Sequence, residues 1–157
     1  MPMTQYPKTQ DQLNQLIADL SQLHTNIQQT HWYMRGSEFF KLHPLMDDYN
    51  DTLDEQLDAV AERLIAIGGS PIATTHEFIE KTGLPDEKVA FDQLTLQQLM
   101  TRLNDQFKYL RDQYQKGIEI TDDEKDFSTQ DMLIENHTEI EKLIWMVSAY
   151  LGQGPQD

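Results

Sequence analysis

The chain has 157 residues, no cysteine, and 27 acidic against 12 basic residues, which give a formal net charge of −15. This charge argues against nucleic acid as a partner, because phosphate binding depends on lysine and arginine. The lack of cysteine excludes disulfides, thiolate nucleophiles and CxxC zinc sites. With no hydrophobic leader and no uninterrupted apolar span of about 20 residues, we expect a cytoplasmic protein without a membrane segment, folded as one domain over residues 1–157.

Apolar residues at helical spacing predict four long helices, near residues 9–35, 38–67, 94–118 and 127–152. The connection at about 68–93 is longer than the 2–8 residues usual between bundle helices, and TTHEFIEKTG within it could form a short helix. Two helical hairpins joined by one long crossover is the connectivity of ferritin-like bundles. The sequence therefore predicts an all-α fold, a ferritin-like four-helix bundle with a short helix in its crossover.

The second predicted helix carries a stripe of potential metal ligands. At about 100° per residue, the stripe occupies an arc of roughly 100° and contains His43, Asp47, Asp51, Asp54, Asp58 and Glu62. Because a helix rises about 1.5 Å per residue, the two ends of the stripe lie roughly 30 Å apart. One helix therefore cannot close both ends around one ion.

The stripe is symmetric about a point between residues 52 and 53, and two ligand pairs share this midpoint: His43 with Glu62, and Asp47 with Asp58. Two copies paired antiparallel at that point would set the first ligands of one helix beside the last ligands of the other. A symmetric dimer interface has this self-complementary form. The chain is therefore predicted to supply half of a metal site that two chains complete.

A second histidine supports this prediction. His31 lies on the inward apolar stripe of the first predicted helix, and an antiparallel hairpin of the first two helices could bring it near His43 and Asp47. The resulting set is two imidazoles, two aspartates and one glutamate, with water filling any remaining position. Nitrogen and oxygen donors without sulfur suit iron(II), manganese or zinc.

The segment THWYMRGSEFFKLHPLMDDYNDTLDEQLDAVAERLIAIGGSP, residues 30–71, resembles the ferroxidase signature of the Dps family of iron-storage mini-ferritins. The resemblance covers most of the chain and implies a hollow dodecamer whose ferroxidase centres lie at two-fold interfaces. It also implies how the site is shared: His31, His43 and Asp47 come from one subunit, Asp58 and Glu62 from its neighbour, and Trp32 lies beside the centre.

The resemblance further implies a function. The family oxidises iron(II), preferably with hydrogen peroxide although oxygen can also serve, and stores the ferric mineral, which protects against oxidative stress. Iron is the implied metal, and zinc, manganese or cobalt would be substitutes. Members that condense DNA commonly carry a lysine-rich N-terminal extension; MPMTQYPKTQ is not one, so no DNA binding is expected. Pro44 occupies a position where other members often carry a different residue.

Two further acidic sets are candidates of another kind. Spacing places three acids between the paired sites, where they could face the cavity and seed mineral: Asp51, Asp54 and Glu55. In the resembling family, acids near residues 119–131 line three-fold channels, and here an iron-uptake pore would be lined by Asp122, Asp126 and Asp131. The alternative interpretation is a solvated start of the last helix, because acids favour helix N-termini.

Two other function classes remain as alternatives. A di-metal oxygenase or catalase would hold its metals within one chain through Glu-x-x-His pairs, and none of the five histidines has a glutamate three residues before it. A non-enzymatic acidic structural or DNA-organising oligomer is opposed by the charge in its DNA form, and the ligand symmetry would be accidental in its structural form. We expect His24 to be packed or hydrogen-bonded, and His76 and His137 to be surface or loop residues.

Overall fold

The computed structural model describes residues 5–157, and this range contains five helices and no strand. In chain order they are α1 (Pro7–Tyr33), α2 (Phe39–Ala66), α3 (Thr75–Lys81), α4 (Leu96–Glu124) and α5 (Phe127–Tyr150). The four long helices form the bundle, and the short α3 lies in the crossover between α2 and α4. The predicted all-α ferritin-like class is confirmed.

Helix α1 is the centre of the packing, since it contacts α2, α3 and α4, while α5 packs against α4. Its apolar stripe is almost completely removed from solvent and consists of Leu13, Leu16, Leu20, Leu23 and Ile27. Burying a large aliphatic side chain contributes about 1.5–3 kcal/mol. This core sets the stagger of the α1–α2 hairpin, and so decides which residues of the two helices meet.

Helix α4 is longer than its apolar pattern predicted. It continues to Glu124, past the predicted end at residue 118, and stops where Lys125 takes a left-handed conformation with φ 65°. The acids at 119–124 therefore lie at the end of α4 and not at the start of the last helix.

Glu124 caps the start of α1 from across the bundle. Its carboxylate accepts hydrogen bonds from the backbone N–H groups of Lys8 at 3.1 Å and Thr9 at 2.7 Å. The N-cap residue of α1, Tyr6, provides no side-chain cap, and the first N–H groups of a helix have no partner within it. A carboxylate supplied by α4 fills this role and fits the positive end of the helix dipole.

Asp19 ties the crossover to the bundle. Its fully buried carboxylate accepts hydrogen bonds from the Thr82 hydroxyl at 2.7 Å, the Gly83 N–H at 3.0 Å and the Tyr109 hydroxyl at 3.1 Å. A Cβ at residue 83 would overlap the Tyr109 hydroxyl, so glycine permits the close approach of this segment to Tyr109.

Within residues 5–157, none of the helices combines the length and the apolar character that a membrane span requires.

Candidate metal centre

Two histidines on neighbouring helices form the centre of the candidate site. His31 is in the last turn of α1 and His43 is near the start of α2, and their rings stack 3.6 Å apart at 11°. The Nδ1 of His31 lies 2.6 Å from the carbonyl oxygen of His43, and the Nδ1 of His43 lies 2.9 Å from the carbonyl oxygen of His31. Each Nδ1 must carry the proton to donate, which leaves each Nε2 with a lone pair for a metal.

The local structure explains why both rings are held. The carbonyl of His31 belongs to the last turn of α1, where such groups lack an intrahelical partner, and the imidazole of His43 supplies one. Helix α2 continues through Pro44, so the proline does not remove His43 from the hairpin. The Phe39 ring packs against the other face of this arrangement, 4.6 Å from the His43 ring at 23°. These contacts fix the ring orientations before any metal binds.

Asp47 is the carboxylate nearest to this pair. Its Oδ1 lies 3.7 Å from the Nε2 of His31, and the two side chains are 62% and 12% exposed, respectively. Because the Asp47 carboxylate is on the protein surface and the His31 imidazole is only partly buried, the site is open on one side. The structure thus places His43 and Asp47 each next to His31 on one helical hairpin, but the three side chains do not surround a common metal position.

The other two predicted ligands lie elsewhere. Asp58 and Glu62 are exposed on α2, and Asp58 is roughly 16 Å along the helix axis from Asp47. Both line an apolar groove of about 530 Å³ formed by α1, α2 and the crossover. Within residues 5–157, no group of three or more histidine, aspartate or glutamate side chains is arranged to hold a metal ion. A single chain therefore presents two separated parts of the proposed ligand set.

Trp32 and the acids between the two parts of the ligand set, which the sequence also proposed as functional residues, are on the surface of the chain. Trp32 is 63% exposed and lines a second groove of about 460 Å³ together with His24. His24 is hydrogen-bonded, as predicted, with its Nδ1 3.0 Å from the Oδ1 of Asp54. The three acids proposed to seed mineral, Asp51, Asp54 and Glu55, are all exposed, and Asp54 makes this contact with His24.

The acids proposed for a pore have unequal surroundings. Asp122 and Asp131 are exposed, whereas the Asp126 side chain is only 2% exposed and pairs with Arg63 at 3.3 Å. Asp126 also caps α5 by accepting a hydrogen bond from the Thr129 N–H at 3.2 Å. The sequence contained this signal, because an aspartate immediately before a helix and three residues before a threonine is a typical N-cap.

The two remaining histidines differ from each other. The His76 side chain is 82% exposed on α3, as predicted. The expectation of a surface or loop position is wrong for His137, whose side chain is 18% exposed on α5. Its Nδ1 lies 3.2 Å from the Oε1 of Glu141, one turn further along the same helix.

Comparison with known proteins decides the family. The ferritin-like domain profile matches residues 10–156, and the chain is 48% identical, over 94% of each sequence, to a protein from Listeria monocytogenes named DNA protection during starvation protein. The chain belongs to the Dps family. The X-ray structure of Dps from Listeria monocytogenes is similar with a TM-score of 0.93 and 46% identity, covering 95% of this chain and 96% of that one. Dps from Listeria innocua soaked with cobalt gives a TM-score of 0.93 and 46% identity over 95% of each chain.

Proposed function

We propose that this Dps-family chain is a ferroxidase and iron-storage protein that oxidises iron(II), preferably with hydrogen peroxide, inside a hollow dodecamer. The observation that carries the proposal is the half-site on the α1–α2 hairpin. Two stacked imidazoles have their Nδ1 atoms anchored to backbone carbonyls, which leaves both Nε2 atoms for a metal, and the Nε2 of His31 lies 3.7 Å from the Asp47 carboxylate. A purely structural role would not require both rings to be locked in the metal-binding tautomer.

A second copy of the chain is the natural source of the missing ligands. The shared midpoint of α2 would place Asp58 and Glu62 of one copy beside His43 and Asp47 of the other. The groove that holds Asp58 and Glu62 is apolar and bordered by Ile65, which is 61% exposed. A contiguous apolar surface of this kind marks an interaction site, and its carboxylates would face the partner's imidazoles.

The donor set suits the chemistry. Imidazole nitrogen and carboxylate oxygen bind iron(II), and the carboxylates stabilise the higher charge of iron(III). One hydrogen peroxide accepts one electron from each of two iron(II) ions, its O–O bond breaks, and two iron(III) ions and two hydroxide ions result. The carboxylates can accept protons when water bound to iron(III) hydrolyses. Both reagents of hydroxyl-radical formation are consumed, which would protect the cell against oxidative stress.

Complementation between two damaged chains tests the shared site. One chain carries His43→Ala with Asp47→Ala, and the other carries Asp58→Ala with Glu62→Ala. Each alone should assemble and oxidise iron(II) slowly, because every site lacks two ligands. After the two chains are unfolded, mixed in equal amounts and reassembled, about half of the dimers should be mixed, and each mixed dimer has one site with all five ligands.

The expected result is therefore recovery of about one quarter of the wild-type oxidation rate, measured by stopped-flow absorbance with peroxide. A site within one chain would leave every centre damaged. A mixture as slow as its parents, although native mass spectrometry shows mixed assemblies, would refute the two-chain ferroxidase centre.

A further inference from the structure

A second histidine–aspartate pair lies two helical turns from the first. His24 precedes His31 by seven residues and Asp54 follows Asp47 by seven, as the antiparallel course of α1 and α2 requires. The Nδ1 of His24 is 3.0 Å from the Oδ1 of Asp54, and the two side chains are 36% and 52% exposed. The pair therefore opens onto the same surface as the candidate metal centre.

The geometry of this pair suits joint coordination of one ion. Two adjacent ligand atoms that each lie about 2.1 Å from an octahedrally coordinated metal, at an angle of about 90°, are about 3.0 Å apart. That is the distance between His24 Nδ1 and Asp54 Oδ1. A divalent cation could thus take the place of the shared proton without large movement, since a ligating imidazole must be deprotonated at the metal-bound nitrogen.

A third ligand follows from the two-chain pairing, and this step rests on the proposed function. The midpoint that pairs His43 with Glu62 also pairs Asp54 of one chain with Asp51 of the partner subunit. Asp51 is exposed, and among residues 5–157 it takes part in no ion pair shorter than 4.0 Å. Four aspartates would converge near the two-fold axis and repel one another unless a cation lay between them.

The basic side chains of α2 lie outside this acidic stretch, and the first of them, Lys41, pairs with Glu38 at 3.5 Å. Residues 47–62 contain seven acids and no lysine or arginine, and the next residue, Arg63, is engaged by Asp126. We propose that His24 and Asp54 of one chain, with Asp51 of the partner subunit, bind a divalent cation at a site separate from the ferroxidase centre. One imidazole, two carboxylates and water suit zinc, cobalt, manganese or iron(II). Each dimer holds two such sites, one on either side of its axis.

Cobalt(II) binding to the assembled, metal-free protein tests the site, with the bound metal counted by equilibrium dialysis and elemental analysis. His24→Ala and Asp51→Asn should each lower the stoichiometry by one cobalt per chain relative to wild type. The matched control is His76→Ala, which removes another exposed histidine paired with a carboxylate, at 2.9 Å from Glu80, and should bind as much cobalt as wild type. Native mass should stay unchanged in all three variants.

Reassembly of a mixture of the His24→Ala and Asp51→Asn chains should restore about one quarter of the lost cobalt, because each mixed dimer regains one intact site. Wild-type stoichiometry in His24→Ala would overturn the site. Loss in His24→Ala but not in Asp51→Asn would overturn the two-chain ligand set. If the mixed chains described above do recover iron(II) oxidation, either of these two cobalt results refutes the second metal site and leaves the ferroxidase proposal standing. A monomeric native mass would refute both proposals.

Discussion

Replacing Asp19 with alanine removes the acceptor that joins the crossover to α1 and α4. The Gly83 N–H then loses its partner inside the protein, and the hydroxyls of Thr82 and Tyr109 lose theirs. A buried donor left without a partner costs about 1–3 kcal/mol. All three hydrogen bonds are only partly buried, so each donor is assigned the low end of this range, about 1 kcal/mol, and we expect a net loss of about 3 kcal/mol. For a chain of this size that corresponds to roughly 6–12 °C in melting temperature.

Asp11→Ala is the matched control, because Asp11 also joins α1 to the crossover. Its Oδ1 lies 3.1 Å from the Nζ of Lys81, but the Asp11 side chain is 78% exposed, and exposed ion pairs contribute about 0–1 kcal/mol. The urea midpoint should be measured at one protein concentration, since assembly adds to the apparent stability. Equal losses in Asp11→Ala and Asp19→Ala would refute the reasoning that burial makes the Asp19 contacts important.

The same carboxylate gives a pH dependence with a definite sign. Burial raises the pKa of Asp19, and the hydrogen bonds from Thr82, Gln15 and other donors lower it without cancelling that effect. The folded protein therefore holds this proton more tightly than the unfolded chain does. The resulting stability is fully present below the unfolded pKa and is lost as pH rises through the folded pKa. The stability of wild type relative to Asp19→Asn should fall over that interval, and a constant difference would contradict this assignment.

Two further predictions concern the surface charge. Asp122→Asn combined with Asp131→Asn should slow iron(II) uptake at low salt, because exposed carboxylates raise the local cation concentration, and the effect should fade at high salt; uptake unchanged at low salt would exclude these residues from a pore. The net charge of −15 predicts that plasmid DNA migrates unretarded in a gel-shift assay near neutral pH with chelator present, since DNA binding needs clustered lysine or arginine. Retardation under those conditions would show that a basic surface had been missed.

The sequence by itself was sufficient for features that depend on one helix. Helical periodicity reports which residues share a face, so the ligand stripe from His43 to Glu62, its midpoint, and the position of His31 on the inward face of α1 all followed from spacing. The all-α class followed in the same way from four apolar patterns and one long connection. The end of α4 was placed too early, because its last turns carry acids instead of a regular apolar stripe, and Glu124 is stabilised there by the start of α1.

Only the tertiary structure decided which partners meet across helices. The stagger of the α1–α2 hairpin places each histidine Nδ1 against the backbone of the other, and spacing along one helix contains no information about that stagger. The same holds for Asp126, which the family resemblance placed among the pore acids and which instead pairs with Arg63 and caps the start of α5. Whether a carboxylate binds a cation, caps a helix or anchors a loop depends on the donors within about 3 Å. Those donors come from segments distant in the chain, and the packing of the core brings them together.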